Sequence, residues 1–190
     1  MTTINTMCIT RSFVTCKAKV EVAMEEGIGI QFTGSMTDLA IKECLLRVTT
    51  ALTERGWKIP GKKIIINVRG TDGFASMYDL PIALGILVES GQVLVSNLDK
   101  YVIAGEVGLG SELRPLLPGI GAMVADYAQQ AHFEGCVLPE CTALEATGYT
   151  KIKVLSADTI GKAIIALNTP GDYTVWRSRR YIDTTAKTDE

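Results

Sequence analysis

The stretch Asp79-Leu-Pro-Ile-Ala-Leu-Gly-Ile-Leu-Val-Glu89 constrains this chain more than any other. It reads as a helix, with Asp79 as its cap and Pro81 in the first turn, where a missing N–H is tolerated. Ile82, Ala83, Leu84, Ile86, Leu87 and Val88 leave that helix almost no polar face. A helix of this kind is stable only when protein covers it on several sides. The remaining elements must therefore pack around it.

The elements before it are legible from periodicity. Ser12 to Met24 carries β-branched residues at Val14, Val20 and Val22 and reads as a strand. Ile28 to Thr33 reads as its hairpin partner across the turn Glu25-Glu26-Gly27. Ser35-Met-Thr-Asp38 is a capping signal. Ile41, Cys44, Leu45, Val48, Ala51 and Leu52 then recur at the spacing of one helical face. Lys42, Glu43, Arg47, Glu54 and Arg55 take the other side, and Gly56 ends the helix. Lys63 to Val68 holds Ile64-Ile65-Ile66, which suits a buried strand.

Beyond the apolar helix, Tyr101 to Val107 and Glu112 to Leu116 read as strands around the turn Gly108 to Ser111. Gly119 opens a helix with Ile120, Met123, Val124, Tyr127 and Ala131 on one face. Short strands follow at Gly135 to Pro139 and Ile152 to Leu155, and Asp158 reads as the cap of a last helix through Leu167. Hairpins mixed with βα units give an α+β class around one mixed β-sheet with packed helices. The organisation expected is an N-terminal arm over 1–11, one domain over 12–168, and a polar basic-aromatic tail over 169–190.

Composition narrows the function classes. Hydrophobic residues make up 47% of 190 and charged residues 21%, so the chain can build a core but offers no stretch long enough to span a bilayer. A net charge of −2 gives no global basic field for nucleic acid. Five cysteines without a C-x-x-C, and no basic n-region at the start, point to reduced thiols in a cytoplasmic setting. With His132 as the single histidine, no metal site and no cofactor are expected.

The motifs mostly fail their own tests. Gly56-Trp-Lys-Ile-Pro-Gly61-Lys62-Lys63 has phosphate-loop spacing but lacks the final hydroxyl, and it follows a helix instead of a strand. Gly105-Glu-Val-Gly-Leu-Gly110 and Gly119-Ile-Gly121 do not complete a dinucleotide fingerprint and read as tight turns. No nucleophile elbow occurs, and a histidine triad would have to use His132 at a helix end. Lys62 and Lys63, with Arg177, Arg179 and Arg180 between Trp176 and Tyr181, are candidate nucleic-acid contacts.

Specific strings go further. Gly34 to Glu43, Tyr78-Asp-Leu-Pro-Ile-Ala-Leu-Gly-Ile-Leu87, Gly105-Glu-Val-Gly-Leu-Gly-Ser-Glu-Leu-Arg-Pro115 and Cys136-Val-Leu-Pro-Glu-Cys141 occur in the order found in ComM/YifB-type, magnesium-chelatase-like AAA+ proteins. The chain resembles the N-terminal domain of that family from about Ser12 to Leu167. The resemblance marks Asp79, Pro81, Gly105, Glu106 and Arg114 as family-signature positions, with helix-cap, turn-anchor and ion-pair roles for Asp79, Glu106 and Arg114. It implies a fold shared with the C-terminal domain of Lon protease. Lon uses a serine–lysine dyad. Laid on this chain, its serine falls at Tyr78, two residues from Ser76, and its lysine at Ile120. Arg114, the basic group nearby, stays protonated and cannot act as a base. The expectation is a non-catalytic assembly and binding module that forms a homo-oligomer and contacts an AAA+ ATPase partner or DNA. The alternatives are a degenerate Lon-like serine peptidase using Ser76 or Ser111, and a nucleotide-binding chelatase-type subunit using Gly61-Lys62.

Overall fold

A computed structural model describes residues 1–70, 74–149 and 151–173. Strands β1 (Thr2–Ile9), β2 (Thr15–Glu25), β3 (Gly29–Gly34) and β4 (Lys63–Arg69) form a four-stranded mixed sheet in the order β1-β2-β4-β3. Residues 1–11, read from sequence as an arm, thus contain a full edge strand whose Ile4, Met7 and Ile9 are buried. The expected β2–β3 hairpin does not form. β4 lies between them, antiparallel to β2 and parallel to β3. The helix α1 (Asp38–Glu54) supplies the crossover that a parallel β3–β4 pair requires.

Along β2 and β4 burial alternates. Ala18, Val20, Val22, Ile64, Ile66 and Val68 point into the core, while Lys17, Lys19, Glu21, Asn67 and Arg69 point outward. The apolar helix α2 (Asp79–Glu89) lies against the core face, and every residue from Asp79 to Leu87 is buried. β1 and β2 cover it on one side, and α1 packs beside it. Gly85 lets the helix approach closely, because a Cβ there would press on Val22. Burial of Leu80, Ile82, Leu84, Ile86 and Leu87 contributes about 2 kcal/mol each relative to exposure.

The second half builds separate sheets in place of the single sheet expected. β5 (Tyr101–Ile103), β8 (Gly135–Pro139) and β9 (Lys153–Ala157) form a parallel three-stranded sheet, and β6 (Glu106–Val107) with β7 (Leu113–Arg114) a small antiparallel pair. β5 and β8 are buried throughout, as continuous apolar runs demand. Helices α3 (Ile120–Gln130) and α4 (Glu140–Leu144) pack on β8, and α5 (Ile160–Asn168) on β9 and α2. A short α6 (Pro170–Tyr173) follows. Among the described residues no helix is long and apolar enough to cross a membrane.

The expected caps shift by a residue or two. Thr37, not Ser35, caps α1 by accepting from the Ala40 N–H. Ser35 instead donates to the Gly70 carbonyl. Thr159, not Asp158, caps α5 by accepting from Lys162 N–H.

Candidate functional site

Two of the strings, Tyr78–Leu87 and Gly105–Pro115, meet at one junction, where the start of α2 lies against β6. Asp79 is the first residue of α2 but not its cap, since no side chain caps that helix. Its carboxylate turns inward. Arg47 of α1 donates from Nε to Oδ2 at 2.6 Å and from Nη2 to Oδ1 at 3.1 Å. The Val107 N–H adds a third donor at 3.2 Å. One side chain thereby ties α1, α2 and β6 together. Arg47 belongs to the side of α1 opposite the apolar stripe, yet it reaches past that side to Asp79.

The electrostatics of the pair pull in two directions. Burial pushes the Asp79 carboxyl above its ordinary value, against the opposing hydrogen bond and charge of Arg47. The hydrogen bond to Asp79 pushes Arg47 up in turn, against the effect of its own burial. A guanidinium already holds its proton at neutral pH, and a bidentate contact with a further N–H suits a carboxylate. The ion pair therefore stands at neutral pH, although desolvation opposes it. Burial, with the Asp79 charge adding to it, also drives the Cys44 thiol strongly upward, so it stays protonated and unreactive.

Gly105 joins the same junction. Its N–H donates to Met77 O and its carbonyl accepts from Leu80 N–H, both at 3.0 Å. A Cβ on Gly105 would sit 3.3 Å from Leu80 and 3.4 Å from Pro139. Pro81 is buried in the first turn beside it. On the outer side, Glu106 and Arg114 are register partners across β6 and β7. Arg114 lies 3.8 Å from Glu106 and 3.3 Å from Glu112, with about half of its side chain exposed.

Next to this junction is a cavity of about 100 Å³. Phe74, Ser76, Met77, Glu106, Pro115, Leu116, Leu117 and Ile120 line it. Ser76 and Ile120 are thus placed on the walls of one small pocket, and Tyr78 is buried outside that lining. The wall carries a hydroxyl and a carboxylate but no amine. Ser111 is elsewhere. It is buried, has a left-handed backbone at φ 72°, and its Oγ finds no partner among the described residues.

Other candidates separate from this site. Gly61 and Lys62 lie in an exposed connection from helix to strand, and Lys63 pairs with Glu25 at 3.7 Å. The Gly119-Ile-Gly121 turn starts α3, where the Glu145 carboxylate accepts from both glycine N–H groups, at 3.1 Å and 2.9 Å. The chain's own carboxylate takes the place an anionic ligand would occupy there. Arg177, Arg179 and Arg180 lie outside the described residues. Among the described residues no cluster of His, Cys, Asp or Glu is placed to hold a metal ion.

Comparison with known proteins bears on the same strings. Residues 20–142 match the family described as subunit ChlI of Mg-chelatase. YifB of Salmonella typhimurium is 37% identical over 98 residues, covering 50% of this chain and 19% of that protein, and YifB of Escherichia coli matches to the same extent. The competence protein ComM of Haemophilus influenzae is 30% identical over 152 residues, covering 78% of this chain and 29% of its own length. The chain therefore spans less than a third of these relatives. Over that span, which includes α1, α2 and the β6–β7 junction, the chain belongs to the Mg-chelatase subunit ChlI family as a ComM/YifB-type N-terminal domain.

Proposed function

We propose that this domain is a non-catalytic assembly module that self-associates and docks an AAA+ ATPase, with DNA as a further contact. The observation that carries the reading is the composition of the pocket wall. Ser76 and Ile120 both line it, and Ile120 is the residue onto which the Lon resemblance lays the dyad lysine; an alkyl group cannot take the serine proton. The reading also takes the fold as Lon C-terminal-like, a scaffold from which the dyad is missing. Exposed Leu39 and Leu46, two turns apart on the outward side of α1, are apolar groups suited to a docking face. Lys62 and Lys63, with the tail arginines, are the basic groups through which DNA would be held, and the setting is read as cytoplasmic.

Light scattering across a concentration series, with fluorescence anisotropy on duplex DNA at 50 and 200 mM salt, tests the proposal. A mass above the monomer, and an affinity that weakens with salt, are the expected outcomes. A strict monomer that binds neither DNA nor an AAA+ ATPase would overturn it. A peptidase reading rests on Ser76 or Ser111, and labelling of either by a fluorophosphonate would establish it at the expense of the assembly reading. A nucleotide-binding role for Gly61-Lys62 requires ATP to raise the melting temperature at millimolar concentration.

A further inference from the structure

Two of the five cysteines meet across the β1–β2 ladder. Cys8 and Cys16 are direct register partners, with their sulfurs 2.8 Å apart. Opposite residues in an antiparallel ladder place their Cα atoms roughly 4.5–5.5 Å apart, inside the window that a disulfide needs. No backbone rearrangement is therefore required to join them. Cys8 is buried and Cys16 half-buried, so an oxidant reaches Cys16 first.

The surroundings give the pair a consequence. The ladder end closes on the turn 10–14, where Thr10 accepts from Phe13 N–H and Val14 N–H. Phe13 is left-handed at φ 57° and two-thirds exposed, and its ring packs on Phe74 at 5.8 Å between centroids. Phe74 is a wall of the pocket. On the other side, Cys8 lies against Gly70. We propose that Cys8 and Cys16 are an oxidisable dithiol whose disulfide locks the β1–β2 turn and, through Phe13, the Phe74 wall of the pocket.

The oxidant is a small-molecule disulfide of the glutathione class. Cys16, losing its proton to water, attacks one sulfur of glutathione disulfide. That S–S bond breaks, a Cys16–glutathione bond forms, and the released glutathione thiolate takes a proton. Cys8, also losing its proton to water, attacks the Cys16 sulfur and expels the second glutathione, which is protonated in the same way. Two protein thiols are oxidised and one glutathione disulfide is reduced. The hydrogen bond to Cys8, with burial, pushes the Cys16 thiol up to about 11, so the first step is slow at neutral pH and calls for long incubation.

The test incubates the full chain with oxidised glutathione, alkylates free thiols, and maps peptides by mass. The expected product has Cys8 joined to Cys16, a melting temperature raised by about 5 °C, and full reversal by dithiothreitol. Exposed Cys141 keeps a glutathione adduct and serves as the internal control for oxidant access. In Cys8→Ser the adduct on Cys16 persists and the melting temperature does not rise. Cys16→Ser, which changes the half-buried partner, leaves Cys8 unmodified. Hydrogen exchange at 10–14 and 74–78 slows severalfold on oxidation of the unmodified chain. Cys8 and Cys16 still fully alkylated after Cys141 has reacted, or a persistent adduct on Cys16 in the unmodified chain, would overturn the dithiol. Unchanged exchange at 74–78 would overturn the link to the pocket.

Discussion

Arg47 meets Asp79 inside the molecule, whereas Arg114 meets Glu106 and Glu112 at its surface, on the same β6–β7 hairpin whose Val107 N–H also reaches Asp79. The chemistry of the two contacts is the same and their settings are opposite. Asp79 is 0% exposed, while Arg114 and Glu112 are each nearly half exposed. Inside, the geometry is bidentate, and the Val107 N–H and the Cys44 thiol are further hydrogen-bond partners of the carboxylate. Outside, solvent and salt screen the charges and the side chains keep much of their freedom. The lesson concerns what a shared string means. Asp79 and Arg114 belong to equally specific strings, yet one holds three elements together and the other lies where a partner could reach it.

Removing the interior carboxylate should show the largest effect. Asp79→Ala leaves Arg47 without its counter-charge and the Val107 N–H without an acceptor, at a cost of about 3–5 kcal/mol. Urea unfolding measures it. A loss below about 1 kcal/mol would mean that the interior pair is no more important than a surface one. The next variant sharpens the point. Because burial opposes the Asp79 charge, Arg47→Met with Asp79→Leu should recover most of what Asp79→Ala loses. A double variant as unstable as the single one would show that the charges, and not merely their pairing, hold the junction.

At the surface, Arg114→Ala should cost under about 1 kcal/mol at low ionic strength. The cost should shrink further in 1 M salt, where the Debye length is near 3 Å. The Asp79→Ala loss should be nearly insensitive to the same salt. If both respond alike, burial is not what separates the two contacts.

How far the sequence carries this comparison depends on the kind of signal. The burial of α2 is legible because Leu80 to Val88 offers no polar stripe, and no neighbour is needed to see it. The role of Asp79 is not legible. An acid before an apolar run looks like a cap, and its true partner sits 32 residues away on α1. Arg47 adjoins the buried Val48 and lies three residues past buried Cys44, so it is at the edge of the core face, a hint that binary patterning overlooks. The β2–β3 hairpin fails for a similar reason. Glu25-Glu26-Gly27 is a sound turn, but pairing is decided by β4, whose apolar run needs neighbours on both edges. The pocket is partly legible, since the resemblance points to Ser76 and Ile120, while Phe74 and Leu117 carry no local signal. The Cys8–Cys16 contact follows from register, which the sequence hides once residues 1–11 are read as an arm.

A second surface pair sets the lower end of the scale. Asp158 accepts from the Lys162 ammonium at 2.7 Å, and that hydrogen bond holds its carboxyl below the ordinary value. A depressed folded value means that the stabilisation is present above the ordinary carboxylate range and is lost as pH falls through the folded value. Asp158 is 43% exposed, so screening keeps the contribution to about 0.3–0.5 kcal/mol. Asp158→Asn should cost that much at pH 7, and the difference should close as the solution is acidified through the depressed folded value, because the parent then loses the same charge. The backbone carbonyl of Asp158 accepts from Leu113 N–H at 2.7 Å and is untouched by the substitution, so the comparison isolates the side chain. A cost approaching that of Asp79→Ala would contradict the division drawn between the two sides of the β6–β7 hairpin, since an exposed pair would then do the work assigned to a buried one.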